Sequence, residues 1–225
     1  LRDTNFDDVL VDKLNVRWSN ILGLPLEIKA GRQDFAGPVD GYGDAWLILD
    51  GTPLDGSRTI YFDAIRTRYN IQPWETTLDW VVLRNPAEDH HNFPHLAGEG
   101  MHRIEHNEFG TFLYAKNRQL QKTDIDAYFM YVHRNPAMPT GDDAHIYTVG
   151  ARAEHRFNEH FAVRAEAAQQ VGERNGDTLC AQGFNSRATY FWKDDWNNQT
   201  RLSYEYLSGD DPGTGTDEGF DNLWG

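Results

Sequence analysis

The stretch HIYTVGARAEHRFNEHFAVRAEAAQQVG, residues 145–172, alternates polar and apolar side chains on both sides of a short FNEH segment. Such alternation is typical of β-strands, because successive side chains point to opposite faces of a sheet. The apolar positions are Tyr147, Val149, Ala151, Ala153, Phe161, Val163, Ala165 and Ala167, and the charged positions are Arg152, Glu154, Arg156, Arg164 and Glu166. The stretch therefore predicts a β-hairpin with one apolar face and one charged face.

Similar strand patterns recur along the chain and predict ten strands in one domain covering residues 1–225. Most have about the 9–11 residues that a tilted strand needs to cross a bilayer. The predicted strands cover residues 11–19, 26–33, 59–69, 75–83, 108–117, 124–134, 145–157, 161–171, 181–193 and 200–207. Residues 44–51 are interpreted as a further short strand or as a loop folded against the wall.

The links between these strands alternate in length. Short links such as NIQPW and NEH alternate with long ones at 34–58, 84–107, 135–144 and 172–180, and another loop opens after the tenth strand with SGDDPGTGTDEG. Short turns at one end and long loops at the other are typical of an outer-membrane barrel. The fold prediction is therefore an all-β, antiparallel up-and-down transmembrane β-barrel.

The two faces fit a wall between lipid and water. A sheet can span a bilayer only as a closed barrel, in which every backbone polar group is paired. Side chains that face lipid must then be apolar, and an arginine among them near the midplane would cost about 2–4 kcal/mol. The alternative is a soluble sheet with a packed core, in which the same alternation appears with inside and outside exchanged.

The charged positions of several strands form the predicted lining of a pore. Rings of arginine and lysine are a means by which pores select anions. The predicted pore-lining residues are Lys29, Arg66, Arg68, Arg152, Glu154, Arg156, Arg164, Glu166, Arg187, Arg201 and Glu205. Two interpretations stay open, because these cations either form ladders with neighbouring glutamates or contact a solute directly.

Composition excludes some classes of protein. The net charge of −14 argues against a nucleic-acid binder, which usually presents a basic face. Cys180 is the only cysteine, so no intrachain disulfide forms. No apolar run approaches the ~20 residues of a membrane-spanning helix. The chain opens with LRDTNFDD and not with a signal peptide, so an exported protein would be present as its mature form or as an internal piece.

Two loop segments contain candidate metal ligands. His90, His91 and His95, followed by His102 and His106, are candidates for a transition metal, although their spacing matches no closed structural site. The acidic, glycine-rich segment with Asp210, Asp211 and Asp217 is a weak candidate for calcium, although it lacks the spacing of an EF-hand. The alternative for both segments is a solvated loop. We expect no obligatory cofactor, with calcium as the one candidate.

The sequence offers little for catalysis. Glu154 and Glu166 could imitate the carboxylate pair of a glycosidase, but the arginines beside them favour a charge ladder. The chain contains neither Gly-x-Ser-x-Gly nor His-Glu-x-x-His. We therefore do not expect an enzyme.

Several segments resemble the alginate-export family. The resemblance rests on GRQ at 31–33, YGD at 42–44, the DG and Arg of 55–58, and the terminal YEYLSGD and FDNLWG. It implies a barrel of roughly 18 strands in the bacterial outer membrane, of which this chain supplies about ten. We expect the chain to be part of a longer polypeptide, and the alternative is that several copies close one barrel. It also implies passive passage of an anionic polysaccharide or small polar solute through an arginine-lined lumen, with the lipid bilayer as a partner.

Two other roles remain open at this stage. One is a soluble or secreted β-rich carbohydrate-binding protein or lyase. The other is a scaffold that binds partner proteins through the long loops.

Overall fold

A computed structural model describes residues 11, 13–35, 61–87 and 104–224, and these residues form an all-β structure. The strands are β1 (Leu14–Ser19), β2 (Leu26–Gln33), β3 (Phe62–Ile71), β4 (Thr76–Asn85), β5 (His106–Asn117), β6 (Thr123–Pro136), β7 (Ala144–Arg156), β8 (Phe161–Arg174), β9 (Asp177–Phe191), β10 (Gln199–Leu207) and the short β11 (Thr216–Asp217). The ten predicted strands are confirmed, with ends that shift by a few residues. The additional strand predicted at 44–51 lies outside the described residues.

The strands follow one another in an up-and-down order. Each of β1 to β10 pairs antiparallel with its neighbour in the chain, and β11 pairs parallel with the beginning of β9. The described sheet is open, because β1 and β10 each have only one neighbour in this order. The two helical segments of the described residues, Ile21–Gly23 and Gln72–Trp74, are single 3-10 turns. No helix among the described residues has the length and apolar character that crossing a membrane requires.

One predicted long link is wrong. β8 ends at Arg174 and β9 begins at Asp177, so only Asn175 and Gly176 connect the two strands. The φ angles of these two residues are 53° and 90°. Two central residues with positive φ form the tight turn that matches the twist of a β-hairpin, and Asn-Gly is the favoured pair for it. Links 34–61 and 86–105 are long, as predicted, and we call their end of the sheet the loop end and the opposite end the turn end.

The two faces of the sheet differ in burial. We call the face that contains most of the buried residues the inner face and the opposite face the outer face. On β7, Ile146 and Thr148 of the inner face are buried, whereas Tyr147 and Val149 of the outer face are 44 % and 58 % exposed. The predicted division of β7 into two faces is therefore confirmed, with the apolar face exposed.

The outer face forms a continuous apolar band. Trp80, Leu113, Phe129 and Val149 lie opposite one another across β4 to β7, and each is about half exposed. Charged residues at outer-face positions of the described strands occur only near the loop end. They are Arg32, Asp63, Arg84 and Glu173, each one residue from the end of its strand.

The inner face has an apolar layer and a charged layer. Phe62, Leu83, Phe112, Val132 and Ile146 are buried in the apolar layer, which lies towards the loop end. The charged layer follows on the same strands towards the turn end, where Asp79, Tyr114, Asp126 and Tyr128 are buried. The alternation of each strand thus positions the candidate site on the inner face.

Candidate functional site

The predicted pore-lining residues all have inner-face positions, and the strand register brings several of them together. Lys29 lies opposite Arg66, Arg152 lies opposite Glu166, and Glu154 lies opposite Arg164. Opposite residues on neighbouring strands have Cβ atoms about 4.5–5.5 Å apart, which is close enough for direct interaction. The inner face therefore collects the charges that are dispersed in the sequence.

Ion pairs neutralise much of the charged layer on β3 to β7. Arg68 donates two hydrogen bonds of 2.7 Å to Asp79, whose side chain is only 1 % exposed. Asp126, equally buried, accepts hydrogen bonds from Arg118, Arg152 and the hydroxyl of Tyr114. For these arginines the paired interpretation describes the structure.

Two stacked tyrosines continue this network. The rings of Tyr114 and Tyr128 lie 5.6 Å apart with an angle of 15° between their planes. The Tyr128 hydroxyl donates a hydrogen bond of 2.7 Å to Glu166. The partners Asp79, Asp126, Tyr114 and Tyr128 were missed from the sequence. Their signal was present, because each shares the parity of the inner-face residues of its strand.

A more cationic cavity lies between β7 and β10. It has a volume of about 140 Å³, and its charged lining residues are Glu154, Arg164, Arg187 and Arg201. Arg164 lies directly opposite Arg187 in the register of β8 and β9. Like charges in such positions destabilise a sheet. An anion in this cavity would offset the repulsion between the guanidinium groups.

Neutral and aromatic groups complete this cavity. Arg187 donates a hydrogen bond of 3.3 Å to the Ser203 hydroxyl, and Arg164 lies 3.8 Å from Glu154. Phe191 contributes an aromatic ring, over which the guanidinium of Arg156 lies at 4.8 Å. Glu205 accepts a hydrogen bond of 2.9 Å from Asn185 at the edge of the sheet. Three arginines thus share a cavity with one carboxylate.

A second group of charges lies at the rim of the loop end. Arg134 binds Glu108 of the neighbouring strand at 3.0 Å and Asp221 of the C-terminal segment, and Arg174 binds Asp217 at 2.6 Å. Burial raises the pKa of Asp221, but its hydrogen bonds with Arg134 and with the Leu223 backbone more than offset this, so the pKa lies below its ordinary value. Sequence reasoning missed this group, because the C-terminal segment gave no strand pattern.

The candidate metal ligands are not brought together in the part of the chain that the structure describes. His90, His91, His95 and His102 lie outside the described residues, and His106 lies 3.3 Å from Glu108. Asp217 is bound to Arg174, and Asp211 accepts a hydrogen bond from the Gly213 backbone. No three potential ligands of the described residues converge on one point. Both metal sites stay predictions.

The family comparison agrees with this architecture. A family model described as alginate export matches residues 2–225, almost the whole chain. The chain belongs to the alginate export family. Members of this family are outer-membrane β-barrels that export polysaccharide, and the antiparallel up-and-down sheet of this chain fits that architecture. No curated protein and no solved structure matches the chain.

Proposed function

We propose that the chain forms part of the wall of a channel in the bacterial outer membrane. In this proposal the outer face contacts lipid, and anionic polysaccharide or small anionic solutes pass along the inner face without chemical change. Membership of the alginate export family supports the class of function. The distribution of charge over the two faces supports the direction in which each face points.

The exposed apolar band favours a lipid partner. Leu202 is 76 % exposed, Tyr204 60 % and Val149 58 %, and their neighbours on the outer face are also apolar. Covering apolar surface is worth roughly 25 cal/mol per Å². A soluble carbohydrate-binding protein or lyase would bury this face in its core, whereas the described residues leave it uncovered.

The direct opposition of Arg164 and Arg187 is the observation on which anion passage rests. A transported ion must bind well enough to enter and weakly enough to leave. The three arginines of the cavity attract an anion, and Glu154 in the same cavity moderates that attraction. Because Arg164, Arg187 and Arg201 line one cavity together with the ring of Phe191, we assign the main solute contact to these three arginines.

The proposal is tested by reversing these charges in the complete polypeptide that contains residues 1–225. The variant Arg164→Glu, Arg187→Glu, Arg201→Glu is placed in a planar bilayer under a KCl gradient. We expect the reversal potential to move from anion towards cation preference. The single variant Arg187→Glu should move the potential in the same direction, and its matched control is Arg84→Glu, which has the same charge change on the exposed outer face and leaves the potential unchanged. An unchanged potential in the triple variant would overturn the assignment.

A further inference from the structure

The segment that follows β10 turns back onto the inner face. We call residues 208–224 the return segment. Ser208 exchanges hydrogen bonds of 2.9 Å with Gln182 of β9, and Thr216–Asp217 then pairs parallel with Thr178 and Leu179. The return segment therefore lies against the wall at the loop end.

Two glycines of the wall make room for aromatic rings of the return segment. A Cβ atom added at Gly183 would lie 2.9 Å from the ring of Phe220, and one added at Gly110 would lie 2.5 Å from the ring of Trp224. Trp224 also packs against Phe112, with ring centroids 5.6 Å apart. Only 5 % of Trp224 is exposed. The return segment thus covers the apolar layer from β5 to β9.

Carboxylates fix the return segment to two arginines of the rim. Asp221 accepts a hydrogen bond of 3.0 Å from Arg134 and lies 3.4 Å from Arg174. Asp217 accepts two hydrogen bonds from Arg174, at 2.6 Å and 2.7 Å. Ala144 lies opposite both arginines in the register of the sheet and so separates them by one strand. Its short side chain leaves the space above it to the Asp221 carboxylate.

One buried polar group opposes the attachment of the return segment to the wall. The indole N–H of Trp224 is buried and has no hydrogen-bond partner among the residues that the structure describes. A buried donor without a partner destabilises the arrangement that buries it. This cost offsets part of the gain from burying Phe220 and Trp224. The net free energy that holds the return segment on the wall is correspondingly smaller.

We propose that the return segment is an autoinhibitory element, in which Asp217 and Asp221 occupy an anion site formed by Arg134 and Arg174. This inference rests on the proposed function, because the displacing ligand is the anionic solute. Guanidinium groups bind carboxylates of a solute by the same charge-assisted hydrogen bonds that they make with these aspartates. Because the aspartates are tethered, their effective concentration is high, and only a ligand with several carboxylates competes well. A polyanion therefore opens the rim that it is to pass.

The first experiment removes the negative charge of Asp221 in the complete polypeptide. We expect Asp221→Asn to raise the single-channel conductance, because the return segment leaves the inner face more often. The control Asp211→Asn changes an exposed carboxylate of the same segment that bonds only within the segment, and it leaves the conductance unchanged. Unchanged conductance in Asp221→Asn would overturn the inference. Lost anion preference in the wild-type channel would instead overturn the proposed function.

The second experiment links the return segment to the wall by a disulfide. It does not depend on whether Asp221→Asn folds. Thr178→Cys and Thr216→Cys are introduced together with Cys180→Ser, because residues 178 and 216 are paired in the parallel register. We expect oxidation to lower the conductance and reduction to restore it. Polygalacturonate should slow formation of the disulfide, whereas neutral dextran of equal size should not. Equal rates with both polymers would contradict displacement by an anion.

Discussion

Arg164 and Arg187 lie directly opposite each other on β8 and β9, and both line the same cavity as Arg201. A sheet selected only for stability would place opposite charges in these positions, as it does where Glu154 lies opposite Arg164. In the proposed channel, an anionic solute bound in this cavity would offset the repulsion between the two guanidinium groups.

Replacing one of these arginines should stabilise the protein and at the same time weaken its binding of an anion. We expect Arg187→Gln to raise the free energy of unfolding by about 0.2–1 kcal/mol, because it removes a pair of like charges. The same change should weaken the block of the channel by polygalacturonate. Urea unfolding in lipid vesicles and single-channel recording measure the two effects. A variant that is both less stable and equally well blocked would contradict the role of this pair.

Among the carboxylates of the charged layer, we expect substitution of Asp126 to reduce the free energy of unfolding most. It is 1 % exposed and binds Arg118, Arg152 and Tyr114. Removing one partner of a buried ion pair leaves an uncompensated charge, so we expect Asp126→Ala to cost about 3–5 kcal/mol. The control is Asp124→Ala on the same strand, whose side chain is 52 % exposed and which should cost no more than about 1 kcal/mol. Unfolding by urea distinguishes the two, and equal losses would be the contrary result.

Acid should weaken attachment of the return segment. The hydrogen bond with Arg174 lowers the pKa of Asp217, and the hydrogen bonds described above lower that of Asp221, both from 3.8. A carboxylate with a lowered pKa in the folded state contributes stability above its ordinary pKa and loses it as the pH falls through the folded value. The other charged groups at this point are Glu108, Arg134, Arg174 and, near Arg174, Asp142.

This pH dependence is measured by the single-channel conductance of the complete polypeptide. We expect the conductance to stay constant above pH 3.8 and to rise below it, because the return segment then leaves the inner face more often. Asp217→Asn with Asp221→Asn should remove the rise. A rise of the same size in that double variant would show that other groups are responsible.

A charge on the outer face should be costly in a bilayer. We expect Val149→Arg to make the free energy of folding into lipid vesicles less favourable by about 2–4 kcal/mol, as for a lipid-facing position near the midplane. Val149 is 58 % exposed, so the arginine fits without a steric clash. The control Glu173→Arg lies on the outer face close to the loop end and should cost far less. Equal, small costs at both positions would indicate that water covers this face.

The strands and their faces could be predicted because both follow from local alternation. The alternation of Tyr147 and Val149 with Thr148, continued by Arg152 and Glu154, assigns the two faces, although the apolar Ile146 shares the inner face with Thr148. The prediction of a long link at 172–180 was wrong because it followed the alternation of short and long links. The Asn-Gly pair at 175–176 is a strong signal for a two-residue hairpin turn.

The partners within the site could be predicted less well. Which arginine is neutralised depends on register and on the reach of long side chains, so Asp126 was not assigned to Arg152 in advance. The contact of Asp221 with Arg134 joins residues 87 positions apart. No local pattern predicts a contact of that separation, and only the assembled sheet brings the return segment to its rim.

The most direct test of which face meets lipid compares two neighbouring residues of β10, Arg201 and Leu202. In the complete polypeptide in lipid vesicles, with Cys180→Ser, a nitroxide is attached to a cysteine at one position or the other. If the inner face lines the channel, the label at 202 collides mainly with oxygen dissolved in the lipid and the label at 201 mainly with a water-soluble nickel chelate. If the label at 202 meets the nickel chelate as freely as the label at 201, the outer face is not covered by lipid and the channel proposal is wrong.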